Sequence, residues 1–178
     1  HLQGTVDASM STDADGANKT LTIAIAPGPE STTRRIDFTG NKALSTSELR
    51  SAVDAQNGTV AVWLERDAIE TTLAALYRSR GYLSADVTVS APRFENGTAV
   101  LPVRIDEGPA YRLGTIGVSG AAFRTADAVR QVTGLQSGAP YLPGEVEPAR
   151  RRVEVDYLGA GYNTVSVSTI VGIDEDRA

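Results

Sequence analysis

The chain of 178 residues has no cysteine, one histidine, one methionine and one tryptophan. Without cysteine there is no disulfide framework and no thiolate chemistry. The lone histidine, His1, stands at the chain start. With no second histidine and no thiol, the usual zinc sites and the Cys-His and Ser-His-Asp nucleophile systems are excluded. No Gly-x-x-x-x-Gly-Lys loop and no dinucleotide fingerprint occurs, so no cofactor and no small-molecule substrate are indicated. Long apolar runs are missing too: nothing approaches the ~18 residues of a membrane helix, and no segment of the chain reads as a signal peptide. Positive charge is in deficit, at a net −5, which argues against nucleic acid as a partner. The one basic run, Arg150 to Arg152, falls in a predicted helix beside Glu147, Glu154 and Asp156, and reads as a solvated helical face. Asp106 and Glu107 are adjacent carboxylates, but neighbours on a strand point to opposite faces and cannot flank one substrate. An enzyme is not expected. The composition, 41% hydrophobic and 22% charged, is that of a folded globular protein.

What the chain does have is a repeat. Ile36, Gly40, Gly58, Tyr77, Gly81, Tyr82 and Val87 recur 80 positions later as Ile116, Gly120, Gly138, Tyr157, Gly161, Tyr162 and Val167. Ten of the 55 positions from Ile36 to Ser90 are identical to their counterparts; they fall where backbone shape or an aromatic anchor matters. Such a period points to tandem small modules rather than one large core. At ~80 residues, each module is near the size where one small core suffices.

The complete copy spans residues 32–109. Arg35 to Thr39 alternates like a half-buried strand, ended by Gly40 and Asn41. Ser45 and Glu48 have capping-box spacing, so a helix starts there and runs through Leu49 and Val53 to a stop at Asn57 and Gly58. A second helix, Leu64 to Arg80, gathers Ile69, Leu73, Leu76 and Tyr77 on one face, and Gly81 is placed as its left-handed stop. A second strand is expected from Tyr82 to Ser90. Leu83, Ala85, Val87 and Val89 face inward on it, and Ser84, Asp86, Thr88 and Ser90 face water. Asn96-Gly97 signals a hairpin turn, followed by a third strand with Leu101, Val103 and Ile105 inward. Trp63 has Pro143 as its counterpart, so it reads as cover for the start of the second helix, with an exposed contact as the alternative. Tyr82 and Tyr162 read as core anchors by their rings, with hydroxyls that reach water. The fold class expected is α+β, in β-α-α-β-β modules with a three-stranded sheet under two helices. Residues 1–31 replay the second and third strands of a preceding module, with Asp15-Gly16 as hairpin turn. Residues 110–178 replay a following module that lacks its third strand, so the chain reads as part of a longer protein.

Laid out this way, the repeat resembles the polypeptide-transport-associated (POTRA) domain of the BamA/TamA outer-membrane assembly family. The resemblance rests on Glu107, Gly108, Tyr111, Ile116 and Gly120 at one junction, and Gly28, Ile36, Phe38, Gly40 and Asn41 at the earlier one. It rests also on the corners Tyr77 to Tyr82 and Tyr157 to Tyr162. It implies a periplasmic scaffold whose partners are unfolded outer-membrane polypeptides and assembly-complex subunits, with a membrane barrel C-terminal in the parent chain. It further implies strand addition, in which an extended peptide pairs with an exposed sheet edge. The expected peptide-binding edge is Tyr82, Leu83, Ser84, Ala85, Asp86, Val87, Thr88, Val89 and Ser90. The expected inter-repeat junction is Glu107, Gly108, Pro109 and Tyr111. A non-binding spacer and the corresponding region of a two-partner secretion transporter are the alternatives.

Overall fold

The structure is a computed structural model that describes residues 4–13, 18–28, 30–56, 63 and 65–174. Packing divides the chain into two units, His1–Thr72 with Val87–Ile105, and Leu73–Asp86 with Asp106–Ala178. The division passes through the helix Arg66–Ser79 and the short strand Asp86–Val89. Mixed α+β architecture is observed, as the sequence pattern indicated.

In the first unit, β1 (Thr5–Thr12) and β2 (Lys19–Ala26) form an antiparallel hairpin. Val6 lies opposite Ile25, Ala8 opposite Ile23 and Met10 opposite Leu21, so alternation stacks the apolar pairs on one face. Every residue of both strands is nevertheless exposed. The turn expected at Asp15-Gly16 lies outside the described residues.

The main sheet contains β3 (Thr33–Thr39), β4 (Asp86–Val89), β5 (Arg93–Glu95) and β6 (Thr98–Asp106). β6 is central: β3 runs parallel on one side, with Ile36 opposite Leu101 and Phe38 opposite Val103, and β4 lies on the other. The expected third strand is therefore the middle one, and its Leu101, Val103 and Ile105 are buried as the alternation required. Short β5, which the alternation did not reveal, pairs antiparallel with the start of β6. Asn96 and Gly97 join them with φ of 48° and 76°, the left-handed pair of a type I′ turn.

Helix α1 spans Thr46–Gln56 and α2 spans Arg66–Ser79. At the start of α1 the capping box closes both ways. Ser45 donates its main-chain N–H and its hydroxyl to Glu48 Oε2 (2.9 and 2.8 Å), while Glu48 N–H donates to Ser45 Oγ at 3.2 Å. Ser45→Ala is expected to cost about 1 kcal/mol, the usual value of a lost N-cap, read as a lowered urea midpoint. Leu49 and Val53 are buried from α1, and Ile69, Leu73 and Tyr77 from α2; Leu76 is half-buried. Trp63 is 6% exposed, with the Arg34 guanidinium 6.0 Å from its ring centroid, so it is a covered residue and not a contact surface. The stop expected at Asn57-Gly58 and the helix start at Leu64 lie outside the described residues.

In the second unit, α3 (Ala126–Thr133) and α4 (Val146–Gly159) carry the small core of Val129, Val153 and Tyr157. These are the counterparts of Leu49, Leu73 and Tyr77. Val118, Ala121, Val132, Val165 and Val167 pack against them half-buried. The strands expected within residues 112–120 and 162–170 do not form ladders; an isolated bridge joins Arg112 and Pro140. The reason is topological. In the main sheet β3 and β4 each pair with β6 and not with each other. Among the described residues of the second unit, no strand takes that central place. Both segments instead line an open groove of about 1150 Å³ over Val129, Val153 and Tyr157.

Candidate functional site

β4 is the terminal strand of its sheet, so one long side of its backbone faces away from β6. Ala85, Val87 and Val89 are buried, and Ser84, Asp86, Thr88 and Ser90 are exposed, as the alternation indicated. The ladder is shorter than expected. It starts at Asp86, and Tyr82, Leu83, Ser84 and Ala85 form a turn. The cause is the preceding helix stop. Gly81, at φ +92°, donates its N–H to Arg78 O, and Tyr82 donates to Tyr77 O at 3.1 Å. This is a Schellman closure, with the first and last aromatic rings of the corner packed together, Tyr77 on Tyr82 at 5.9 Å. Ala85 N–H then closes on Tyr82 O at 3.3 Å, which keeps the chain in a turn until Asp86.

The second corner repeats this bond for bond. Gly161 donates to Leu158 O, Tyr162 to Tyr157 O and Val165 to Tyr162 O, and the Tyr157 and Tyr162 rings lie 5.7 Å apart. Tyr162 departs from the core-anchor expectation: it is 46% exposed and leans on Phe123 at 5.1 Å. Tyr82 is half-buried.

Backbone direction on β4 follows from two bonds. Ser90 N–H reaches Pro102 O of β6 at 3.0 Å, whereas Val89 N–H goes to Glu70 Oε1 on α2 at 2.7 Å. Successive residues alternate sides, so Asp86, Thr88 and Ser90 turn their amides toward β6. Val87 and Val89 turn theirs outward. Glu70 was not recognised from sequence because it reads as one more polar residue on a helix surface.

The residues expected at the inter-repeat junction sit within the second unit. Glu107 Oε1 accepts the Tyr77 hydroxyl at 2.9 Å, a contact between residues 30 positions apart that no local pattern reveals. Gly108 has φ +63° and donates to Asp106 Oδ1; a Cβ there would come within 2.5 Å of Ser84 Oγ. Pro109 is exposed, so its contribution is the fixed φ of its ring rather than packing. Half-buried Tyr111 donates its N–H to Gly81 O at 3.0 Å and accepts from Tyr141 N–H at 2.9 Å. Tyr111 thus ties the Gly81 corner to the chain at Tyr141 through main-chain bonds.

On α4 the basic run is not simply solvated. Arg150 is held by Glu147 at 2.7 Å and Glu154 at 3.0 Å, and it also donates to Val167 O at 3.2 Å. Hydrogen bonding to Glu147, reinforced by Glu154, holds the Arg150 guanidinium above its ordinary pKa, and the same bond holds Glu147 below the usual carboxylate range. Arg152 caps Thr133 O. The Tyr157 hydroxyl, counterpart of the one bonded to Glu107, is buried and without a hydrogen-bond partner among the described residues. No group of histidine and carboxylates among the described residues could hold a metal ion. No helix among them is long and apolar enough to cross a membrane.

Residues 31–108 match the family model POTRA, described as a surface antigen variable number repeat. The outer membrane protein assembly factor BamA of Nitratidesulfovibrio vulgaris is 28% identical over 132 residues, covering 67% of this chain and 16% of that protein. Among solved structures, BamA POTRA3-5 of Haemophilus influenzae is similar at 19% identity and a TM-score of 0.41, covering 86% of this chain and 62% of that one. The N-terminal domain of Omp85 from Thermosynechococcus elongatus is similar at 19% identity and a TM-score of 0.40, covering 87% and 65%. POTRA1-3 of the periplasmic domain of Omp85 from Anabaena follows at 18% and 0.38, covering 88% and 64%. The chain spans less than two thirds of each of these relatives.

Proposed function

We propose, for a chain whose residues 31–108 are a POTRA domain, that it serves in the periplasm as the scaffold of an outer-membrane protein assembly or translocation factor. In this reading it binds extended client polypeptides, or segments of partner subunits, by strand addition and catalyses no reaction. Repeats at 1–31, 32–109 and 110–178 set the spacing of such sites along the chain. The supporting observation is that β4 ends its sheet with the main-chain groups of Val87 and Val89 directed outward. An added strand draws affinity from those groups and tolerates varied client side chains. That tolerance suits a receptor for many clients. The polar face of Asp86 and Thr88 also contains no lysine or proline, two common devices for blocking an edge.

The test is an NMR titration with an end-capped ten-residue peptide that alternates aliphatic and serine residues. Binding in the range of ~0.1–1 mM is expected, equivalent to ~4–5.5 kcal/mol. Shifts should concentrate on Asp86 to Ser90 and on α2 beside them. No shift at millimolar peptide would favour the spacer. Shifts confined to Tyr111 to Tyr141 would move the site to the junction.

A further inference from the structure

Glu70 occupies the backbone donor that an added strand must use. Its Oε1 accepts Val89 N–H at 2.7 Å, and that N–H lies on the outer side of β4, because the next amide, Ser90, is spent on Pro102 of β6. A strand docking on this edge needs Val89 N–H for one of its own carbonyls. The two acceptors cannot share it.

The repeat shows that this placement is not incidental. Eighty positions later, the residue on α4 is Arg150, and it too reaches a main-chain group of the facing segment, the carbonyl of Val167. Val167 is the counterpart of Val87, which faces the same outer side as Val89. Carboxylate meets amide in one module and guanidinium meets carbonyl in the other. The helix position is thus used in the same way with opposite polarity. Anchorage differs between the two. Arg150 is also held by Glu147 and Glu154, whereas the corresponding neighbours of Glu70 are Asp67 and Ala74. Neither offers it a cation.

We propose that Glu70 is the gate of the β4 edge, a releasable carboxylate that holds the outward amide of Val89 until a client strand displaces it, while Arg150 is a fixed counterpart. The proposal rests on the strand-addition reading and assigns the residue that regulates it. A client carbonyl replaces the Glu70 oxygen at Val89, and the carboxylate swings back into water, so the exchange costs one charge-assisted hydrogen bond. The gate therefore lowers client affinity without abolishing it. It also shields the edge from unspecific pairing when no client is present.

The experiment compares wild type with Glu70→Ala, Glu70→Asp and Glu70→Gln in the full chain, by amide hydrogen exchange at Val89 and by titration with the same alternating peptide. Each substitution is at a helix-surface position, and none removes a buried apolar group. Alanine has no acceptor and aspartate is one methylene too short, so both should speed Val89 exchange and tighten peptide binding about three- to tenfold. Glutamine keeps an acceptor oxygen at the same reach and should stay close to wild type in both readouts. Unchanged Val89 exchange in Glu70→Ala would overturn the gate, whatever the peptide does. Faster exchange with unchanged or weaker peptide binding would also overturn it. Faster exchange with no peptide binding by any of the four proteins would overturn the strand-addition reading and the gate together.

Discussion

Gly81→Ala is expected to cost about 3 kcal/mol and Gly161→Ala about 1 kcal/mol, although the two glycines occupy the same place in the repeat. Both close a Schellman motif at positive φ, +92° and +94°, where any side chain is strained. Their surroundings differ. A Cβ on Gly81 would lie 2.5 Å from Tyr141 O and 3.6 Å from Tyr111 O, while one on Gly161 meets nothing within 4 Å. The obstruction is backbone, and that backbone is fixed by the bonds Tyr111 N–H to Gly81 O and Tyr141 N–H to Tyr111 O. It cannot rotate away as a flexible side chain would. Since both glycines belong to the same packing unit, their urea midpoints compare directly. Equal losses would show that the Gly81 corner is free of the chain at Tyr141. Ser84→Ala, on the exposed side of the turn, should change stability little and serves as the control.

This difference also shows what a sequence can carry. The two corners share Tyr-x-x-x-Gly-Tyr, and their internal bonds are legible because a Schellman stop is local: six residues contain every donor and acceptor. The capping box at Ser45 and Glu48 and the hairpin turn at Asn96-Gly97 are legible for the same reason. The crowding around Gly81 comes from Tyr141, 60 positions away, and no local pattern encodes it.

The edge was read partly. Alternation placed Val87 and Val89 inward and Asp86 and Thr88 outward correctly, because side-chain burial has a period of two on a strand. It placed the ladder start four residues too early, because Leu83 and Ala85 keep the alternation while the Tyr82–Ala85 hydrogen bond makes a turn. Side-chain pattern reports faces; it does not report which main-chain groups have partners. The unpaired segments of the second unit illustrate the same gap, since their pattern is strand-like and a neighbour is what a ladder requires. Glu70 stayed hidden for a further reason. Its counterpart is Arg150, so the comparison of repeats, which exposed the glycines and tyrosines, registers this position as a mismatch. The shared feature is a reach to backbone, and opposite charges achieve it.

Val87→Pro is expected to abolish peptide binding while leaving the module folded. Proline tests the edge only at a residue whose amide points away from the sheet. The bonds of Ser90 and Val89 place the amides of Asp86 and Thr88 toward β6, and Val87 is the residue that satisfies the condition. A proline there removes an outward donor and no ladder bond, which an edge strand tolerates. Thr88→Pro removes a donor aimed at β6 and should destabilise the sheet more than Val87→Pro does. Val87 is buried, so proline also removes some apolar contact. Val87→Ala loses comparable packing but keeps the amide, and it isolates the effect. The alanine variant should bind the alternating peptide close to wild type, whereas the proline variant should show no shifts at Asp86 to Ser90 up to millimolar peptide. Circular dichroism and the dispersion of the amide spectrum establish that both remain folded. Undiminished binding by a folded Val87→Pro protein would take the site off this edge. Equal loss of binding in both variants would instead assign it to the Val87 side chain and its packing rather than to main-chain pairing.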